Sequence, residues 1–124
     1  MWRRGSGRAA TAEIGDPAHQ AQTTRKVWDD QLDAVERYNQ PGHFTALIGF
    51  EYSLQPRGNT LHRNVIFRDG ADKARQVLPL AADGKVGPEH LWDFMDDYMK
   101  RTGGLVLDIP HNSNLSNGLA FMMT

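Results

Sequence analysis

Apolar residues recur at helical spacing in two segments of the chain. The first segment begins near Thr24 and ends before Pro41-Gly42, and its apolar face consists of Trp28, Leu32, Val35 and Tyr38. The second follows Pro88 and ends at Gly103-Gly104, and its apolar face consists of Leu91, Trp92, Met95, Tyr98 and Met99. Polar residues fill the remaining positions of both segments, so we predict two amphipathic helices.

Three shorter apolar runs have the length and composition of β-strands. They cover residues 44–52, 64–68 and 105–109. The first run is almost continuously apolar, which is typical of a strand buried on both faces. Residues 53–60 contain proline, glycine and asparagine and predict a loop, whereas residues 71–87 predict a long polar connection.

The predicted order is helix, strand, strand, helix, strand. A strand, a crossover helix and a further strand indicate an α/β fold with about three mainly parallel strands and two main helices. Three strands cannot close a barrel, so we interpret the chain as part of a larger α/β domain. Residues 1–22 lack periodicity and predict a poorly ordered lead-in, and residues 23–124 form the partial domain.

Three residues near strand ends could carry chemistry. Glu51 lies at the carboxyl end of the first strand, His111 directly follows the third strand, and His62 opens the second strand. A carboxylate and two imidazoles brought together could bind a divalent metal ion. Each residue also has a simpler interpretation, namely an ion pair of Glu51 with Arg57 or Arg63 and structural roles for the two histidines.

The other polar residues of these segments have less specific interpretations. Asp108 has the opposite strand parity to His111, so we expect its side chain on the other face of the sheet. His19, His43 and His90 are predicted to lie on the surface. The amides after His111 are ordinary turn formers that could also orient a metal ligand or hold a substrate oxygen.

Composition excludes several classes of protein. The 124 residues carry a formal net charge of −1 and contain no cysteine, which excludes disulfides and thiolate metal ligands. No basic stripe suggests a nucleic-acid partner. Neither a signal peptide nor an apolar stretch of roughly 20 residues is visible, so we predict a soluble protein without a membrane span. The compartment stays open.

An ordered series of short motifs resembles one bacterial family, called domain of unknown function 3604. The motifs are Pro41-Gly42-His43-Phe44-Thr45, Ile48-Gly49-Phe50-Glu51, Gly58-Asn59, Leu61-His62-Arg63-Asn64-Val65-Ile66-Phe67-Arg68-Asp69, Pro88-Glu89, Leu91-Trp92, Ile109-Pro110-His111-Asn112 and Asn114-Leu115-Ser116-Asn117-Gly118. The resemblance covers roughly residues 26–121. It is more specific than any single histidine.

This family is similar to the polymerase and histidinol phosphatase (PHP) superfamily of metal-dependent hydrolases. The resemblance implies a partial distorted (β/α) barrel, a metal cluster of zinc, manganese or iron, and metal-ligand roles for Glu51, His62 and His111. It also implies a small-molecule substrate, and phosphoesters are the usual substrates of the superfamily. Family members are longer and carry further ligand motifs that this sequence lacks, which indicates an internal fragment.

Two hypotheses for function follow from these patterns. In the first, the chain is part of a metal-dependent hydrolase, with Arg63 or Asn114 contacting a substrate anion and the catalytic residue unassigned. In the second, it is a catalytically inactive truncated fragment or a half-domain that depends on a partner.

Overall fold

The computed structural model describes residues 16–121, which form one three-stranded sheet with helices packed on a single face. Three helices are α1 (Pro17–Tyr38), α2 (Ala71–Ala74) and α3 (Glu89–Thr102). The strands are β1 (Ile48–Tyr52), β2 (Arg63–Phe67) and β3 (Val106–Pro110). Short 3-10 turns occupy Pro56–Gly58, Ser113–Leu115 and Leu119–Phe121.

Helix α1 begins earlier than its apolar periodicity indicates. Asp16 caps it, because its side chain accepts a hydrogen bond of 3.4 Å from the Ala18 N–H, and Pro17 occupies the first turn. Residues 17–22, which the sequence assigned to a poorly ordered lead-in, therefore form its first turns. Residues 1–15 of that predicted segment lie outside the described residues.

Helix α3 ends as the glycine pair predicts. Gly103 adopts a left-handed conformation with φ of 65°, and its N–H donates to the carbonyl of Met99. Leu91 and Tyr98 are fully buried on the inner face of this helix, whereas Trp92 is 48% exposed. The predicted apolar face is thus correct for most of its members, but Trp92 does not belong to the buried face.

The prediction of mainly parallel strands in a partial barrel is wrong. The sheet order is β1-β2-β3, and both neighbouring pairs are antiparallel. Ile48 pairs with Phe67 at one end of the β1–β2 strand pair, and Tyr52 pairs with Arg63 at the other end. The structure is a small α/β domain with a three-stranded antiparallel sheet.

The connections explain the antiparallel order. Residues 53–62, between β1 and β2, contain no crossover helix, so they return the chain in the opposite direction. Between β2 and β3 the chain crosses the length of the sheet twice, first through residues 75–88 and then through α3. The prediction of parallel strands assumed a single pass, through α3, and two passes make β3 antiparallel to β2. Arg25 donates to the carbonyl of Arg75 over 2.8 Å, and Val77 is buried, so this segment packs against the domain.

The core lies between the helices and one face of the sheet. Its largest buried side chains are Trp28, Tyr52, Tyr98 and Phe67. The indole N–H of Trp28 donates to the carbonyl of Ala74 over 3.2 Å, which fixes α1 against α2. No element among residues 16–121 covers the opposite face, and we call it the open face; its apolar residues are Leu47, Ile66, Leu105, Leu107 and Ile109. Strand β1 is consequently buried on one face only, not on both.

No helix among residues 16–121 combines the length and hydrophobicity that crossing a bilayer requires.

Candidate metal centre

The antiparallel topology brings Glu51, His62 and His111 to the same edge of the sheet. Strands β1 and β3 end where the central strand β2 begins, so the end of each outer strand lies beside the residue that opens β2. The backbone N–H of His111 faces the carbonyl of His62 at 3.4 Å, which continues the β2–β3 register by one pair. We call these three residues the Glu-His-His cluster.

The ligand atoms of the Glu-His-His cluster converge. Each residue offers one such atom, and these atoms lie within 4.8 Å of one another. The Oε1 atom of Glu51 is 2.9 Å from Nδ1 of His62, and its Oε2 atom is 3.6 Å from Nε2 of His111. The two imidazole centroids are 6.3 Å apart. The side chains remain 23–44% exposed, so the cluster is accessible to solvent and to ions.

These distances fit the donor set of a divalent metal site. Two ligands of a tetrahedral zinc ion lie about 3.4 Å apart when each is about 2.1 Å from the metal. The contact between Glu51 and His111 matches that separation, and the contact with His62 is shorter at 2.9 Å. One carboxylate and two imidazoles suit zinc, manganese or iron better than calcium, which prefers oxygen ligands.

One nitrogen of each imidazole faces the carboxylate of Glu51, Nδ1 in His62 and Nε2 in His111. His62 turns Nδ1 towards Glu51, while its Nε2 atom is buried and has no hydrogen-bond partner within residues 16–121. A neutral imidazole that offers Nδ1 to a metal carries its proton on Nε2. The predicted alternative, in which Glu51 pairs with Arg57 or Arg63, does not occur among the described ion pairs.

Two polar residues near the cluster were missed at the sequence level. The hydroxyl of Ser53 donates to Oε1 of Glu51 over 2.9 Å and orients the carboxylate. Asn64 pairs with Glu51 on one side and with Ile109 on the other, so it lies on the open face between the outer strands. Strand parity could have identified both residues, because each is an even number of positions from a predicted ligand in its own segment.

Arg63 lies on the face opposite to the cluster. Its guanidinium forms an ion pair with Asp108, and both side chains are 14% exposed. This position confirms the parity argument that kept Asp108 out of the site. The structure therefore does not bring Arg63 to the Glu-His-His cluster, and its predicted contact with substrate stays a prediction.

The remaining predicted residues lie around this edge or away from it. Asn114 is exposed in the Ser113–Leu115 turn, and its substrate role also stays a prediction. His19 and His43 are exposed, as expected. His90 is half-buried at the start of α3, with its Nδ1 atom buried, so it is less exposed than expected.

Comparison with known proteins gives one family match. A family model described as "Protein of unknown function (DUF3604)" matches residues 3–124, which is nearly the whole chain. No curated protein and no solved structure matches the chain.

Proposed function

We propose that this chain, which belongs to the family described as protein of unknown function DUF3604, binds a divalent metal ion through Glu51, His62 and His111 and that the site serves metal-dependent hydrolysis. The convergence of three ligand atoms within 4.8 Å at one sheet edge carries the proposal. The resemblance to the PHP superfamily supports the hydrolytic part, with a phosphoester as the expected substrate.

A structural ion pair is the competing explanation for the cluster. Two histidines and one glutamate could simply satisfy one another at the sheet edge. Three features favour a metal: both oxygens of Glu51 are directed at imidazoles, Ser53 orients the carboxylate, and the side chains remain accessible. A partly exposed ion pair contributes only about 0–1 kcal/mol to stability, so stability alone gives little reason for this arrangement.

The chemistry follows from the donor set. A divalent ion held there would lower the pKa of a bound water and polarise an ester oxygen. The chain contributes the ligand geometry: β1, β2 and β3 fix the three backbone positions through their hydrogen-bonded register. Ser53 holds one carboxylate oxygen, and Asn64 stands beside the cluster on the open face, where its amide could contact a substrate oxygen.

Metal binding is tested by elemental analysis of the purified chain after equilibration with zinc or manganese and dialysis. We expect about one ion per chain. Glu51→Gln and His111→Ala should weaken binding by more than about 100-fold, because loss of even an outer-shell partner costs 10- to 100-fold. His43→Ala is the matched control, since His43 is exposed and outside the cluster. Equal binding by wild type and both cluster variants would reject the site.

Hydrolysis is tested separately on the same preparations. The metal-loaded chain should release nitrophenol from p-nitrophenyl phosphate, and the two cluster variants should not. Stoichiometric metal binding without any turnover would retain the metal site and reject the hydrolase.

A second candidate function follows from the open face. Leu107 and Ile109 of β3, and Leu105 directly before it, are about half exposed beside the cluster. An uncovered apolar sheet face next to three metal ligands favours a half-domain, to which another polypeptide segment would supply both a cover and further ligands. In that case the chain binds metal weakly on its own and becomes active only when the face is covered.

A further inference from the structure

A groove of about 490 Å³ opens beside the Glu-His-His cluster, and Glu51 belongs to both. One wall is the chain that leaves β1, and the other is formed by residues 80–85. The volume falls within the roughly 300–1,000 Å³ typical of small-molecule sites. The groove is therefore large enough for a substrate that reaches the cluster at one end.

The first wall is built by strict alternation. Tyr52 and Leu54 are buried in the core and Pro56 is also buried, so the intervening residues are directed outwards. Those outward residues that line the groove are Glu51, Ser53 and Gln55. This wall presents a carboxylate, a hydroxyl and an amide in a row, and its buried partners hold it in place.

The second wall ends in a tight turn. The N–H of Lys85 donates to the carbonyl of Ala82 over 3.0 Å, and Gly84 has a φ of 66°, which favours glycine. Leu80 and Ala82 pack against the hydrophobic core. The turn is therefore anchored, and it places Asp83 and Lys85 on the groove.

Lys85 is the cationic residue of this groove and has no carboxylate within 4.0 Å among residues 16–121. The lysines at positions 26, 73 and 100 all have such partners, and so does Arg63. The acidic residues that line the groove are Glu51, which the metal would engage, and Asp83. An exposed ammonium group without a partner is available for an anion.

We propose that the groove is the substrate-binding cleft of the metal site and that Lys85 binds an anionic group of the substrate, a phosphate or a carboxylate. This inference rests on the proposed function, because it takes the Glu-His-His cluster as the reacting end of the cleft. The substrate is then a small molecule that carries an anion apart from the bond at the metal. Lys85, not Arg63, supplies the charge that recognises it.

The test is a titration of the ¹⁵N-labelled, zinc-loaded chain with phenylphosphonate and, separately, with benzoate. Chemical-shift changes of the backbone amides should place the bound probe in the groove, with the changes at Gln55, Gly84 and Lys85. Lys85→Gln should weaken binding about tenfold, as expected for loss of one charge-assisted contact. Lys85→Arg should stay within about threefold of wild type. Arg37→Gln is the control, because Arg37 is an exposed cation that does not line the groove.

The two probes separate the possible anions. Tighter binding of phenylphosphonate indicates a phosphate-type group, and tighter binding of benzoate indicates a carboxylate. Equal affinity of wild type and Lys85→Gln, no binding of either probe, or shifts confined to residues outside the groove would each overturn the inference.

Zinc content measured on the same samples distinguishes this inference from the proposed function. If wild type and Lys85→Gln both retain zinc but bind the probes equally well, only the inference fails. If wild type does not retain zinc, the proposed function fails, and the same titration on the metal-free chain still decides whether Lys85 binds the anion.

Discussion

The carboxylate of Asp69 joins the end of β2 to the start of β3. Its Oδ2 atom accepts a hydrogen bond of 2.7 Å from the N–H of Leu105. Its Oδ1 atom accepts from Arg68 at 3.0 Å and from Lys73 at 3.3 Å. The backbone hydrogen bond from Leu105 is the largest of the effects that lower the pKa of Asp69 from 3.8 to about 2, followed by the contact with Arg68.

This lowered pKa predicts a pH dependence of stability. A carboxyl group whose pKa is lower in the folded state stabilises the fold above the unfolded pKa and loses that contribution as the pH falls towards the folded pKa. For Asp69 the window runs from about pH 4 to about pH 2. We expect Asp69→Asn to be less stable than wild type at pH 6 and to lose less free energy of unfolding across that window. Denaturant titrations at pH 6, 4, 3 and 2 measure the free energy of unfolding of both proteins. An equal loss of this free energy in wild type and variant across the window would contradict the prediction.

At the residue scale, the sequence indicates which groups are chemically unusual but not all of their partners. Glu51, His62 and His111 stand out because polar groups at the ends of apolar strands need an explanation. The ion pair between Arg63 and Asp108 spans 45 positions and depends on the β2–β3 register, which no local pattern contains. The sequence therefore suggested Glu51 or a substrate anion as the partner of Arg63, whereas its partner in the fold is Asp108.

At the element scale, Gly49 allows β1 and β2 to pair closely. A Cβ atom at this position would lie 2.6 Å from the backbone carbonyl oxygen of Val65, which cannot move without disturbing the sheet. The carbonyl of Gly49 also accepts a hydrogen bond of 2.7 Å from the side chain of Gln31 in α1. The position therefore sets both the strand spacing and the docking of α1.

Gly49→Ala should destabilise the domain by about 1–3 kcal/mol, the usual cost of overpacking. The measurement is the midpoint and slope of a urea titration. Gly87→Ala is the control, because the atoms nearest to an added methyl group there belong to the end of the flexible Glu89 side chain. If the two variants are equally stable, close approach at Gly49 does not limit the sheet.

The elements themselves could largely be predicted, but the relative direction of the strands could not. Helical spacing and short apolar runs identify α1, α3 and the three strands, because burial of one face imposes a period on the sequence, although α1 begins seven residues before its predicted start near Thr24. Residues 75–88 have no such period, although Val77, Leu78 and Leu80 pack on the core. This extended pass along the sheet reverses β3 relative to β2, and its irregular backbone left no periodic signal.

At the scale of the whole molecule, the described part of the chain has helices on one sheet face and leaves the open face bare. The open face includes a cleft of about 450 Å³ lined mainly by Leu47, Ile66, Leu105 and Leu107. Strand parity also places the side chains of the Glu-His-His cluster on this side of the sheet. A segment that covered the apolar residues would thus approach the metal ligands as well. This arrangement links the second candidate function to the first.

The open face gives a prediction about association. Contiguous exposed apolar surface promotes contact between copies or with a partner, so the wild-type chain should bind a hydrophobic dye and associate as its concentration rises. Leu107→Lys combined with Ile109→Lys should reduce both effects without unfolding the domain, because these side chains do not enter the core. Leu115→Lys is the control, since Leu115 is an exposed leucine outside the sheet. Light scattering after size exclusion measures association. A wild-type chain that stays monomeric at high concentration and binds no dye would argue against a half-domain, and metal binding would then have to be complete within this chain.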